Sequence, residues 1–246
     1  MSSCQIQAVF FDAAGTLFTV RGAVGEIYAR LARAHGKEAA ASELEAEFRR
    51  CFPHMPAMAF PGAAPEHIPE LERHWWRSLV QRVVAPLGPF PSFDAYFEAL
   101  FACFAHPQSW QLYPDTEETL SRLRQRGLRL GIISNFDSRL FGLLHGLGIA
   151  HFFDAVVIST RAGAAKPQRA IFLQALSALD VHPEQALHVG DNYAADVVGA
   201  RTAGLVPVLI DRHLDPGGAS QCRFTIRSLT ELPALVDTYQ PPPPSS

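Results

Sequence analysis

The sequence predicts an α/β fold, a parallel sheet with helices on both faces that is interrupted after its first strand by an all-helical segment. Three observations predict it. Short apolar runs of strand length recur along the chain, helical apolar stripes separate them from residue 112 onward, and residues 21 to 110 hold no convincing strand. Ile6 to Phe11 is the first run; it stops at Asp12 and the Gly15-Thr16 pair, as expected of a strand buried on both faces and its exit turn. Leu128 to Ile133, Ala155 to Ile158, Ala186 to Val189 and Val206 to Ile210 repeat the pattern.

The helices follow from capping and spacing. Asp115 with Glu118 reads as a capping box ahead of Leu120 and Leu123, and Gly127 closes that helix. Leu140, Leu143, Leu144 and Leu147 form the next stripe. Pro167 reads as a first-turn proline ahead of Ile171, Ala175 and Leu179, and Gly204 ends a helix bearing Val197 and Ala200. In the strandless stretch, Val24, Ile27, Tyr28 and Leu31 keep a helical period, and Ser42 with Glu45 reads as a second capping box ahead of Phe48 and Phe52. After a proline-rich loop from Pro53 to Pro69, one stripe runs through Leu71, Trp75, Leu79 and Val83, and another through Tyr96, Phe97, Leu100, Phe101 and Phe104. The aromatic residues Trp75, Trp76, Phe97 and Phe101 are expected to be this segment's own core. The resulting organisation is a core of residues 1–20 and 111–240, a helical domain of residues 21–110, and a low-complexity tail, 241–246, expected to be disordered.

Composition narrows the function. The chain has 246 residues, 48% hydrophobic and 18% charged, with a net charge of −3, which excludes a nucleic-acid binder driven by bulk positive charge. No stretch approaches 18 uninterrupted apolar residues and the N-terminus lacks a signal-peptide pattern, so a soluble, cytoplasmic protein with no membrane partner is expected. Four cysteines without a CxxC pair favour free thiols over a disulfide frame or zinc site. Lys37 and Lys166 are the only lysines, so the position of each carries information.

In a parallel sheet the ligand crevice lies outside the carboxyl ends of the strands. The residues that follow the runs are Asp12, then Ser134 and Asn135, then Lys166, then Asp191 with Asp196. A carboxylate nucleophile, a hydroxyl, an ammonium and further carboxylates are what phosphoryl transfer through an aspartyl intermediate needs. Singly, each has a plain structural explanation: an Asp at a strand end caps a turn, and a Lys before Pro starts a solvated helix. Their arrival in order, each beyond a strand, favours one shared site.

The segments VFFDAAGTLF, LGIISN, AAKP and HVGDNYAAD together resemble the four motifs of the haloacid dehalogenase superfamily, whose members are mostly magnesium-dependent phosphohydrolases. The likeness covers residues 5–20 and 111–235, with weaker echoes in EIYARLARAHG and the Trp75-Trp76 pair. It implies a Rossmann-like sheet with a helical cap inserted after the first motif. It also implies Asp12 as nucleophile and metal ligand, Ser134 as holder of a phosphoryl oxygen with Asn135 beside it at the rim, and Lys166 as the cation between nucleophile and phosphoryl group. Asp191 would ligate magnesium directly or through water, the Ala14 backbone carbonyl would add a ligand, and Asp196 and Thr16 would support the site. The implied partner is a small phosphorylated metabolite.

One position departs from the pattern. The superfamily's phosphatases carry DxDGT, and the second Asp is the general acid; here it is Ala14. A methyl group moves no proton, and loss of general acid catalysis costs on the order of 10² to 10⁴ in rate. A phosphohydrolase for good leaving groups, or one borrowing an acid from the cap at His54, Glu66 or His74, is the favoured reading. A binding or regulatory protein that kept the fold is the alternative. Two carbon–heteroatom hydrolases rank lower. 2-Haloacid dehalogenases also lack the second Asp but resemble a metal-free design without a carboxylate at the Asp191 position. Phosphonoacetaldehyde hydrolases need a cap lysine, and Lys37 stands in a Gly-Lys-Glu turn expected to be solvated.

Overall fold

The computed structural model describes residues 5–212 and 222–239, so the predicted tail lies outside the described residues. The apolar runs become the strands β1 (Ala8–Phe11), β4 (Arg129–Ser134), β5 (Ala155–Ile158), β6 (Ala186–Gly190) and β7 (Val206–Ile210), joined by a short β8 (Thr225–Ile226). They pair in parallel in the order β5-β4-β1-β6-β7-β8. Strand β1 is central and buried along its length. Its period-2 alternation sends Val9 and Phe11 to one face and Ala8 and Phe10 to the other, each into a separate apolar cluster. Helices α5 (Thr116–Gln125), α6 (Arg139–Gly146) and α10 (Leu232–Thr238) cover the first face; α8 (Arg169–Leu179) and α9 (Gly199–Ala203) cover the second. Phe11 lies opposite Ile132 and Val189, so Asp12, Ser134 and Asp191 leave the sheet at one edge.

The insert consists of α1 (Val24–Ala34), α2 (Ala41–Cys51), α3 (Ile68–Val84) and α4 (Phe93–Ala105). It has its own apolar cluster, centred on Ile27, Tyr28, Leu44, Leu79, Tyr96 and Leu100. A two-stranded antiparallel ribbon, β2 (Phe18–Val20) against β3 (Trp110–Leu112), closes its base. Three-residue strands are too short to show alternation, which is why the sequence did not reveal the ribbon. Lys37 Nζ donates to Pro89 O at 3.1 Å and fastens an insert loop. Among the described residues no helix is long and apolar enough to cross a membrane, and Cys51, Cys103 and Cys222 are free thiols.

Three local expectations fail for tertiary reasons. Asp115 does not cap α5: its carboxylate accepts from both Arg212 Nη atoms at 3.0 Å, from Ser228 Oγ at 2.8 Å and from Leu229 N at 2.8 Å. A guanidinium fork outcompetes a local N–H. Ser42 lies inside α2, and Glu45 Oε2 instead accepts from Gly25 N at 2.8 Å, tying α2 to α1. Pro167 precedes α8, in a cis peptide bond after Lys166. A capping box does form at Ser228 and Glu231, before α10.

Partial burial opposes ionisation of Asp115, but Arg212 and the hydrogen bonds prevail and hold its carboxyl below the usual carboxylate range. A depressed folded-state pKa stabilises above about pH 4 and is lost as pH falls further. Asp115→Ala is therefore expected to lower the unfolding free energy by about 2 kcal/mol at pH 7. In denaturant titrations the gap to wild type should narrow below about pH 4.

Candidate active site

Asp12 follows β1 and its backbone N donates to Val189 O at 2.8 Å, so the residue is pinned to β6 before its side chain is placed. The chain then turns at Gly15, whose φ of +90° suits glycine and where a Cβ would stand 2.3 Å from Asp191 Oδ2. Asp191 thus lies across the turn beside Asp12. Lys166 Nζ, 6% exposed, reaches in from the loop before α8 and donates to Asp12 Oδ1 at 2.7 Å and to Asp196 Oδ1 at 2.6 Å. Asp196 belongs to a π-type turn, Tyr193–Val198, and is packed against Gly190, where a Cβ would be 2.1 Å from its Cγ. Its Oδ2 accepts from Asn192 N at 3.0 Å and its Oδ1 also pairs with His188 Nε2 at 2.8 Å.

The exits of β1 and β6 and the loop before α8 therefore meet, and hydrogen bonds fix Asn135 and Asp196 beside them. Asn135, expected at the substrate rim, is fastened to the lysine loop: its Nδ2 donates to Lys166 O at 3.0 Å and its Oδ1 accepts from Lys166 N at 2.8 Å. An amide has one donor face and one acceptor face, and both are spent on that backbone. Asp196, expected to support the site, is a direct partner of Lys166. Ser134 is buried at the end of β4. Thr16 O accepts from Arg212 Nη2 at 2.8 Å, while its buried Oγ1 has no partner among the described residues.

Electrostatics follow from this crowding. Burial opposes the charge on Lys166, but Asp12 and Asp196 outweigh it and raise its pKa. Burial likewise opposes ionisation of Asp196, yet Lys166 and His188 hold it well below the usual carboxylate range. Burial lowers the pKa of His188 and so favours the neutral ring; with Nε2–H donating to Asp196, its buried Nδ1 has no partner among the described residues. Asp191 is exposed at the crevice surface, but desolvation of its carboxyl end and the charges of Asp12 and Asp196 push it up to about 7. Oxygens of Asp12, Asp191 and Asp196 lie within 4.8 Å of one another. Three carboxylates thus face one ammonium. Asp196 is fully engaged, whereas Asp12 Oδ2 has no partner among the described residues, so Asp12 and Asp191 form the pair open to a hard dication.

Among the described residues the insert's candidate acids stand outside this cluster's hydrogen bonds. His54, Glu66 and His74 are exposed, none is hydrogen-bonded to a site residue, and His54 Nδ1 pairs with Arg50 O. Trp75 and Phe97 are core residues of the insert as expected. Trp76 and Phe101 are partly buried and pack against that apolar cluster, and Trp76 also reaches the core domain: its Nε1 donates to Asp137 Oδ2 at 2.5 Å, and the Arg139 guanidinium packs over both rings. Sequence reasoning missed His188 and Glu72. His188 stands two residues before Gly190 and so shares its face of β6. Glu72 interrupts the buried stripe of α3, Ile68, Trp75, Leu79 and Val83, and an acid on an apolar stripe is a legible signal.

A Rossmann-like parallel sheet with a helical insert over an aspartate–lysine–aspartate chain at its strand ends defines a capped α/β hydrolase fold. The chain belongs to the haloacid dehalogenase-like hydrolases, whose family model matches residues 6–204. It is similar to haloacid dehalogenase-like hydrolase domain-containing protein 3 of Homo sapiens, at 39% identity over 216 residues, 86% of this chain and 85% of that protein. The stretches YPDTEETLSRLRQRGLRLGIISNFDSRL and HVGDNY carry the likeness to that type. Phosphoserine phosphatase of Thermus thermophilus is 43% identical over 116 residues, 47% of each chain. Among solved structures, a HAD phosphatase from Thermococcus onnurineus superposes with a TM-score of 0.69 at 27% identity, covering 96% of this chain and 100% of that one.

Removing one member of a buried ion network strands the others. Asp196→Ala, which leaves Lys166 with Asp12 alone, is expected to lower the unfolding free energy by about 3 kcal/mol, read by denaturant titration.

Proposed function

We propose that the chain is a magnesium-dependent phosphohydrolase working through an aspartyl-phosphate on Asp12, with residues 21–110 as its cap. The observation that carries this reading is the state of Asp12: Oδ1 is held by Lys166, Oδ2 has no partner among the described residues, and oxygens of Asp12 and Asp191 lie within 4.8 Å of each other. Asp12, Asp191 and the Ala14 backbone carbonyl would hold the ion, with waters completing its shell. When bound, magnesium supplies the charge that lets an anionic phosphoryl group approach two carboxylates.

The chain's own residues do the rest. Asp12 Oδ2 attacks phosphorus, and the ester oxygen leaves with the bonding electron pair. Lys166 offsets charge between the carboxylate and the phosphoryl oxygens, and Ser134 donates to one of those oxygens. Asp196, His188 and Asn135 keep the ammonium in place from the side chain and the backbone respectively. Water then hydrolyses the acyl phosphate and regenerates Asp12. With Ala14 in place of the acid, the leaving oxygen departs unprotonated, which selects aryl or acyl phosphates among small phosphorylated metabolites. Similarity to phosphatases supports the reaction class. Asp191 argues against a metal-free dehalogenase, since it would add repulsion toward a haloacid's carboxylate. Ala14 is the observation on the side of a phosphoryl-binding protein that does not turn over.

Calorimetry with millimolar magnesium is expected to show one site in wild type and none in Asp191→Asn; no binding by wild type would sink the metal assignment. Ala14→Asp is expected to raise kcat about 10²-fold on an alkyl phosphate and much less on 4-nitrophenyl phosphate, whose leaving group needs no proton. Equal gains on both would refute the leaving-group argument. Hydrolysis unaffected by Asp12→Asn would favour the binding-protein reading.

A further inference from the structure

Glu72 is 3% exposed, belongs to the cap helix α3, and has no Lys or Arg partner among the described residues. Its Oε1 accepts three hydrogen bonds, all from the core: Ser138 N at 2.9 Å, Ser138 Oγ at 2.8 Å and Thr160 Oγ1 at 2.6 Å. A carboxylate gives up hydration on burial at a cost of several kcal/mol, which these three hydrogen bonds offset. The donors come from two loops. Ser138 is four residues beyond Ser134 on the loop leaving β4, and Thr160 lies in α7 (Ser159–Ala162), six residues before Lys166. Nearer the sheet the same loops are joined by the paired bonds between Asn135 and the Lys166 backbone. The arrangement is a ladder with a core rung at Asn135 and a cap rung at Glu72.

A reciprocal contact lies beside it. Asp137, fully buried in the core, accepts from Trp76 Nε1 of the cap, while Arg139, which binds Asp137 through Nε at 2.9 Å and Nη2 at 2.6 Å, donates Nη1 to Phe101 O of the cap at 3.2 Å. The ribbon of β2 and β3 already ties the cap covalently to the core, so these contacts are not needed for retention. They act on loops, the part of the core least fixed by ladder hydrogen bonds.

We propose that Glu72 is a positioning residue: by bridging the Ser134 and Lys166 loops from the cap, it makes docking of the cap and ordering of those two loops one event. The proposal rests on the phosphohydrolase reading only in treating Ser134 and Lys166 as the working residues. Withdrawal of the cap returns Glu72 to water and frees both loops at their outer ends. Re-docking restores the second rung, so a site without its cap holds Lys166 by the Asn135 rung and its ion pairs alone.

Hydrogen exchange on the full chain tests this without assuming an activity. Glu72→Ala is expected to speed exchange about tenfold or more in residues 135–140 and 159–167 together, with β1 and β6 unchanged. Glu72→Gln, which keeps an acceptor oxygen in place, should stay within about threefold of wild type. On 4-nitrophenyl phosphate, Glu72→Ala should lower kcat about tenfold with KM within twofold, and Glu72→Gln should recover most of it. Faster exchange confined to α3, or kcat unchanged while both loops loosen, overturns the proposal. If Glu72→Ala does not fold, Thr160→Val removes one donor from the core side. It should speed exchange at 136–140, across the bridge, and no change there overturns the proposal equally. A wild type that hydrolyses nothing yet shows the coupled exchange refutes the phosphohydrolase reading and leaves the bridge standing.

Discussion

The ammonium of Lys166 between Asp12 and Asp196 is the contact on which the rest of the site depends. Three carboxylates gathered within 4.8 Å repel one another, and a buried cation lets two of them share so small a space. Everything around it serves to hold that cation where the sheet ends. Gly190 makes room for Asp196, His188 supplies it with a neutral donor, and Asn135 grips the lysine from its backbone. The charge the ammonium does not cover falls on Asp191, whose pKa is raised first by desolvation of its carboxyl and then by Asp12 and Asp196. An uncompensated carboxylate pair on a crevice surface is poor for stability and well suited to a hard dication, which is how structural cost and proposed function connect.

The cap repeats the same economy of charge. Glu72 and Asp137 face each other across the seam, each buried, one in the cap and one in the core. The donors to Glu72 come from the core, and Asp137 takes one of its own from the cap. The donors to Glu72 among the described residues lie across the seam, whereas Asp137 takes most of its bonds from Arg139 of its own domain, so Glu72 is the carboxylate whose satisfaction depends on the seam. This separates the cap's apolar cluster, which folds α1 to α4 together, from the contacts that orient it over the strand ends.

Much of the fold was legible because burial leaves a periodic trace. The apolar runs at Ala155 to Ile158 and Val206 to Ile210 match their strands residue for residue, since a strand buried on both faces admits few polar residues. Signals that rely on a short polar side chain fared worse. Asp115 and Ser42 both satisfy the capping pattern, but Arg212 claims Asp115 from 97 residues away and α2 begins two residues too early for Ser42 to cap it. Local spacing cannot register a competitor that is distant in sequence.

By itself the sequence determined the parallel core, the helical insert and the identity of Asp12, Ser134, Lys166, Asp191 and Asp196, because topology places strand exits side by side and chemistry limits what stands there. Tertiary structure decided how those side chains divide their valences. Asn135 binds the Lys166 backbone, Asp196 pairs directly with Lys166, and Glu72 leaves an apolar stripe to join two core segments. A side chain's type is written in the sequence, but its hydrogen-bond partners are set by which remote groups arrive within 3 Å when the core closes.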